Sequence, residues 1–412
     1  MKWRALTLVI QTAALVSLAV PLRLAAQSQQ PQNSKLPRYV VTDLGPTQSF
    51  ADGINNKGLV AGTAIQSDGV TQQAFLWRNG RNTSLGTLGG PNSQAFSRPS
   101  ERGQVAGNAE TSTPDPLGED FCSYGTNLIC LAFSWQNGVM TPLPTLGGDN
   151  SWANGGLNNR GQVAGVAENT TPDPTCPPPN VLQSKPVIWE KGEIRELPTV
   201  SGDPDGTALA INDNGEAAGA SSNCTTPLHA VRWRKDGSVQ DLGTFGGTML
   251  NLAQGINNRG EVVGASDLPG DTAFHAFLWS EAEGMQDLGT FVGLPSSWAF
   301  GINDARQVVG MSCDSSGDCG AFLWQDGVMT DLNALLPNDS LWNLIAGTSI
   351  NSRGEIAGVG DQGGGYHAVL VTPCVGEHLQ DKGCEERNSA AAPGTSRERS
   401  SVPRSKQLEI FL

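Results

Sequence analysis

The chain is written in a unit that recurs seven times, and a repeat of this length decides the fold class before any local propensity is weighed. Trp77, Trp135, Trp189, Trp233, Trp279 and Trp324 each close a short apolar run, and most are followed by a glycine turn, as in Ala321-Phe322-Leu323-Trp324-Gln325-Asp326-Gly327. These tryptophans recur every 44 to 58 residues. A seventh copy, Tyr366-His367-Ala368-Val369-Leu370-Val371, lacks the tryptophan. Upstream of the runs stands a second marker, Asn-x-x-Gly between two apolar segments, as in Ile54-Asn55-Asn56-Lys57-Gly58 and Ile256-Asn257-Asn258-Arg259-Gly260. Asparagine can bond its own backbone and glycine takes the positive φ of a tight turn, so this marker predicts a hairpin. Repeat six carries Arg306 at the glycine position, where left-handed geometry costs a side chain about 1 kcal/mol, so a remodelled turn is expected there. Repeat two is degenerate, with Pro99-Ser100-Glu101-Arg102-Gly103. A third marker follows the tryptophan turn, as in Gln240-Asp241-Leu242-Gly243 and Gln286-Asp287-Leu288-Gly289.

One unit therefore reads as four short strands. A is small and apolar, B is the Val-Val-Gly segment, C ends in tryptophan and D carries Asp-Leu-Gly. Four strands in about 45 residues is the size of a propeller blade, and a blade buries its faces only by stacking on its neighbours. The reading is an all-β, seven-bladed β-propeller of four-stranded blades, with the tryptophans packed between blades. The last repeat runs into Val371-Thr372-Pro373-Cys374 without a D strand, while an orphan D strand opens the array at Tyr39-Val40-Val41-Thr42-Asp43-Leu44-Gly45. The N-terminal strand is thus expected to complete the last blade and close the ring.

These markers resemble those of the HAF-repeat family of putative extracellular bacterial proteins, whose motif stands here as His275-Ala276-Phe277-Leu278-Trp279. The resemblance spans residues 39 to about 372. Histidine itself recurs only at His229, His275 and His367; Gln73, Leu131, Pro186 and Gly320 take its place elsewhere. The resemblance implies export and brings no catalytic residues with it.

The flanks agree with export. Lys2 and Arg4 precede a mostly apolar stretch from Ala5 to Val20, with small residues at Ala25 and Ala26, so 1–26 reads as a cleaved signal peptide. Its apolar stretch is shorter than the roughly 20 residues a membrane span needs, and no later segment could span one. Residues 27–38 form a linker, 39–384 the propeller, and 385–412 a Ser-, Arg-, Ala- and Pro-rich tail without periodicity, expected to be disordered. The net charge of -14 becomes more negative once the signal is removed, which makes a nucleic-acid partner a poor fit. Eight cysteines in an exported chain imply disulfides. The expected pairs are Cys122–Cys130, Cys176–Cys224, Cys313–Cys319 and Cys374–Cys384; no CxxC spacing points to zinc.

With A innermost, the AB and CD turns share one rim, and the BC and DA loops share the other. That second rim holds most of the length variation and most of the cysteines. It reads as a binding surface for glycan or an extracellular protein, with Trp152, Trp298 and Trp342 as candidate stacking residues set against a role as plugs between blades. Asp203 and Asp205 are candidates on the same face, but their loop lacks the full ligand spacing of a calcium loop, so no metal or cofactor is assigned. Catalysis finds little support. In the A-strand segments around residues 51–53, 153–155, 208–210, 253–255 and 299–301, Asp52 is the one ionisable residue, and general acid–base work usually needs more than one positioned group. The expectation is a secreted, monomeric, non-enzymatic binding or scaffold propeller. The alternative is a polysaccharide hydrolase or lyase using carboxylates of the enlarged loops, such as Asp115, Glu119 or Asp173.

Overall fold

A computed structural model describes residues 36–176, 181–223, 226–375 and Cys384. The signal segment, most of the linker and the tail lie outside these residues, as does Cys224. Within them stand seven four-stranded antiparallel sheets and a single short 3₁₀ turn, Leu332–Leu335. Blade 5 shows the plan: A is Asn251–Ile256, B Val262–Asp267, C Phe274–Ser280 and D Gly284–Asp287, paired in that order. The A strands of blades 1, 2, 3, 4 and 6 are Ser49–Ile54, Gly89–Ala95, Ser151–Trp152, Asp205–Ile211 and Ser296–Ile302. Blade 7 consists of Asn343–Ile350, Ile356–Asp361 and Tyr366–Pro373, and its fourth strand is Tyr39–Asp43 from the other end of the chain. The ring is therefore a seven-bladed β-propeller closed by the N-terminal strand.

That closure is well held. Tyr39 to Asp43 pair in continuous register with Pro373 to Val369. Tyr39 and Leu44 are buried, and burial pushes the Tyr39 phenol up to about 12. The Asp43 carboxylate lies 3.1 Å from His367 Nδ1 on the adjacent strand.

Apolar clusters form between blades rather than within them. One joins Leu59, Ala61, Ala74 and Leu76 of blade 1 to Val105, Phe133 and Trp135 of blade 2. Trp189, Trp233 and Trp279 each pack likewise on the preceding blade. Trp189 and Trp233 donate their indole N–H to Pro144 O and Pro198 O, both at 2.7 Å, so large apolar rings are buried without orphaning their one polar atom. On the inner strands a one-residue bulge recurs, between Ala51 and Gly53, Ala208 and Ala210, Ala253 and Gly255, and Ala299 and Gly301. A bulge re-aims its extra residue, and here Asp52, Leu209, Gln254 and Phe300 line the central channel. Glycine next to the bulge allows blades to approach. A Cβ at Gly53 would lie 2.0 Å from the backbone nitrogen of Arg98, and one at Gly155 1.9 Å from Ala208 O.

The Asn-x-x-Gly marker does more than turn the chain. Asn212 Oδ1 accepts the backbone N–H of Asn214 and Glu216, both at 3.0 Å, while its Nδ2 donates to Asn257 O of the next blade at 2.9 Å. The same interblade bond runs from Asn158 to Asn212, Asn257 to Asn303, Asn303 to Asn351, Asn351 to Asn55 and Asn55 to Ser100. Ser100 has no amide to continue it, so this hoop opens between blades 2 and 3. A second hoop runs beside it, in which each following residue donates its backbone N–H to the side chain of its counterpart. It passes from Asn56 to Glu101, Asn159, Asp213, Asn258 and Asp304, and returns from Ser352 to Asn56. Its Glu101–Asn159 bond, 2.9 Å, covers the junction that the first hoop misses.

The turn of repeat six is not remodelled. Arg306 holds φ at 60° and donates its N–H to Asn303 O at 3.1 Å, as Gly58 does to Asn55 O. Its guanidinium meets Glu261 and Glu283 at 3.1 and 3.0 Å, which offsets part of the backbone cost.

Asn212→Ala removes bonds at a buried site and should lower unfolding free energy by about 2 kcal/mol. Ser100→Asn supplies the missing donor and should raise stability by up to about 1 kcal/mol. Denaturant melts of both variants check this; a destabilised Ser100→Asn would refute the continuity of the first hoop.

Candidate functional site

The two ends of the ring differ in construction. The AB end carries the hoops. The BC/DA end carries the two longest loops among the described residues, the BC segment 115–127 and the DA segment 332–342. Disulfides Cys122–Cys130 and Cys313–Cys319 staple the BC connections of blades 2 and 6, and Cys374–Cys384 ties the chain beyond the last strand. Cys176 is disulfide-bonded; its expected partner Cys224 lies outside the described residues.

The enlarged loops of blades 2 and 3 turn their acids inward. Asp115 is 7% exposed, Glu119 0% and Asp173 4%. Asp115 Oδ1 accepts the N–H of Leu117 and Glu119 at 2.8 and 3.0 Å, and its Oδ2 accepts Asn150 Nδ2 at 2.8 Å. Glu119 Oε1 accepts the N–H of Val181 and Leu182 in the next blade, and Asp173 Oδ1 accepts that of Thr175 at 2.6 Å. These carboxylates hold loop backbone and offer no open pair to a sugar.

Two of them also face a second acid across a blade junction. Glu119 and buried Glu168 lie close enough to act on each other's charge, as do Asp173 and Asp205. Burial, reinforced by the Glu119 charge, pushes Glu168 up to about 8. Burial and the Asp173 partner push Asp205 up to about 7. Two facing buried carboxylates cannot both ionise cheaply, which favours a proton held within each pair on the acid side of these values. The ligand atoms of Asp173, Cys176 and Asp205 also lie within 4.8 Å of one another. Cys176 is already in a disulfide and offers no thiolate, and the Lys185 ammonium acts on both acids, so the chemistry of this donor set does not suit a metal ion. Asp203, half-buried, accepts Ser221 Oγ at 2.7 Å.

Of the three candidate tryptophans, Trp298 is 1% exposed and packs against Phe274 and Phe300. Trp152 meets Phe96 edge-on and Trp342 meets His367, both partly buried. All three therefore have ring partners within the fold. The histidines are likewise committed: His229 to Asp241 and His275 to Asp287, at 3.0 and 2.8 Å, bracing strand C against strand D as His367 braces the closing strand.

The channel encloses about 140 Å³ and is lined from all seven blades, by Gly, Ile and Leu together with Asp52, Ser97, Arg98, Gln254, Thr348 and Ser349. Burial holds the Asp52 carboxyl well above its usual range. Arg98 also lines it and pairs with Asp213 at 3.2 Å; the degeneracy of repeat two hid this cation from the repeat pattern, though the Ala-x-x-Arg spacing after Gln94 marks it. Asp52 and Arg98 are the ionisable side chains among the residues that line it.

No family model matches the chain, and no curated protein does. Among solved structures, the β-propeller domain of the Trilobed protease from Pyrococcus furiosus is similar at 10% identity and TM-score 0.47, over 83% of this chain and 100% of that one. A Mycobacterium tuberculosis puromycin-hydrolyzing peptidase is similar at 15% identity and TM-score 0.47, over 82% of this chain and 52% of the peptidase. Trypanosoma rangeli sialidase is similar at 8% identity and TM-score 0.37, over 80% and 55%. This chain thus spans about half the length of the latter two, and the likeness is one of fold.

The carboxyl pairs give stability a pH dependence of fixed sign. Folded Glu168 keeps a proton that the unfolded chain releases near 4.5, so stability is greatest below that value and declines as pH rises towards about 8. Apparent Tm measured from pH 5 to 8.5 should fall by a few degrees more in the parent than in Glu168→Gln. Parallel curves would contradict the proton held within the pair.

Proposed function

We propose that this chain is an exported, monomeric, non-enzymatic propeller that binds an extracellular protein through its BC/DA rim. Export is supported by the signal-like N-terminus, the resemblance to HAF-repeat proteins, the disulfides, and the lack of any helix among the described residues long and apolar enough to cross a membrane. The observation that carries the binding reading is the placement of exposed aliphatic side chains. Of the exposed large aliphatic side chains among the described residues, Val70, Leu117, Met249, Val292 and Leu341, from 46% to 106% exposed, stand in BC or DA loops, whereas Val139 and Val328 stand beside CD turns and Val375 beyond the last strand. Singly exposed apolar residues are ordinary, but Met249, Val292 and Leu341 occupy three successive DA loops of one rim.

A protein is the better partner than a glycan. Sugar recognition usually relies on open aromatic faces, and among the described residues no aromatic ring is exposed. The polysaccharide-cleaving alternative loses support because Asp115, Glu119 and Asp173 are buried on loop amides.

A photo-crosslinking residue at Val292 or Leu341 should capture a discrete protein from the extracellular medium in which the chain is produced, and one at Asn214 in an AB turn should not. Equal capture at both rims, or none at either, would overturn the reading. So would turnover of a polysaccharide panel that Asp115→Asn abolishes.

A further inference from the structure

The two rims differ in charge as sharply as in construction. None of the described BC loops (66–71, 115–127, 173–176, 268–273, 314–318, 362–365) contains a Lys or Arg. Neither do the DA loops (44–48, 85–88, 143–150, 197–204, 242–250, 288–295, 332–342). Acids are spread through them instead: Asp68, Asp271 and Asp339 are exposed, and Asp120, Asp149 and Asp203 partly so. The opposite rim is mixed. Its AB turns hold Lys57, Arg102, Arg160, Arg259, Arg306 and Arg353, and many of these bases are already paired with acids of the same rim, such as Glu261 and Glu355.

We propose that the BC/DA rim docks a Lys/Arg-rich, partly apolar protein segment. The inference rests on the binding reading above and adds the partner's chemistry. Two independent observations converge on the same loops. The first is the segregation of charge: loops that carry acids from several blades and no Lys or Arg, with the one nearby ammonium, Lys185, engaged by Pro204 O, Asp173 and Asp205, give this face a net negative potential, which attracts and orients a cationic partner and repels acidic polymers. The second is the exposed aliphatic set. Met249 lies in the same or an adjacent loop to Asp271-bonded Thr248, and Leu341 two residues from Asp339, so apolar contacts and charge are interleaved as an amphipathic basic segment would meet them. The apolar contacts favour such a segment over a fully hydrophilic amine polymer, and the charge excludes an acidic one.

The test uses the full chain and three fluorescent peptides of equal length: one alternating Lys and Leu, one alternating Glu and Leu, and one Lys-Ser control. Anisotropy should show the Lys-Leu peptide binding at least about tenfold more tightly than the other two, with that affinity falling about tenfold between low salt and 0.5 M salt. Neutralising Asp68, Asp149, Asp271 and Asp339 together to Asn should weaken binding about tenfold. Neutralising Glu193, Asp236, Glu281 and Asp326 on the opposite rim should leave it within about twofold, which controls for net charge. Equal loss in both sets, preference for the acidic peptide, or Lys-Ser binding as well as Lys-Leu would each overturn the proposal. Capture by rim crosslinkers without any preference for the cationic peptide would leave the rim a binding face and refute only its charge selectivity.

Discussion

Everything else in this molecule depends on a bond between one asparagine and the next blade. A four-stranded blade has two apolar faces and cannot bury them alone, so the fold exists only as a stack. Stacking through Ala, Val and Trp supplies the burial but not the angle or height at which blades meet. The amide of Asn212 fixes both. Its oxygen closes its own turn and its nitrogen reaches Asn257 O, a double role that the amide fills with two separate atoms, whereas aspartate has no donor and serine has a single, shorter-reaching hydroxyl for both. Six such bonds, and six from the neighbouring backbone, hold the AB end in a nearly continuous hoop, and the N-terminal strand closes the same ring at the outer edge.

This concentration of rigidity at one end frees the other. BC and DA loops can lengthen without touching the hoop, and blades 2 and 3 have used that freedom most. Their enlarged loops carry their own fastenings: a disulfide staple, Asx turns around Asp115 and Asp173, and facing carboxyl pairs across the blade junction. The DA loops that lead into blades 5, 6 and 7 present Met249, Val292 and Leu341 to solvent. The channel, by contrast, is small. Its ionisable groups are Asp52, whose carboxyl burial shifts upward, and Arg98, paired with Asp213, beside Ser97, Gln254, Thr348 and Ser349.

The blade plan and ring closure were legible in the sequence because both are local patterns repeated in order, and a strand missing at one end with one spare at the other has one geometric solution. Asn-x-x-Gly was legible as a turn, but the interblade half of its work was not, because a motif does not say where a side-chain N–H points. The carboxylates of the enlarged loops illustrate a different limit. Asp115, Glu119 and Asp173 look like surface acids because loops are usually exposed, whereas these fold down onto the following blade and satisfy its amides. Their partners Glu168 and Asp205 sit in strands of other sequence context, so pairing appears only in three dimensions. Trp298 was readable as either a stacking platform or a plug, and the neighbours that make it a plug, Phe274 and Phe300, flank it from two strands of adjacent blades.

Hydrogen exchange resolved to single amides tests the central claim, that one end of the ring is a bonded hoop and the other a free face. The donors of the second hoop, the amides of Asn56, Glu101, Asn159, Asp213, Asn258 and Ser352, lie in surface turns where exchange is ordinarily fast. The account predicts that they exchange only with global opening, as slowly as the central B strands, while the DA-loop amides of Thr244, Thr290, Val292 and Gly293 exchange orders of magnitude faster. Turn amides that exchange as freely as those loops would contradict it.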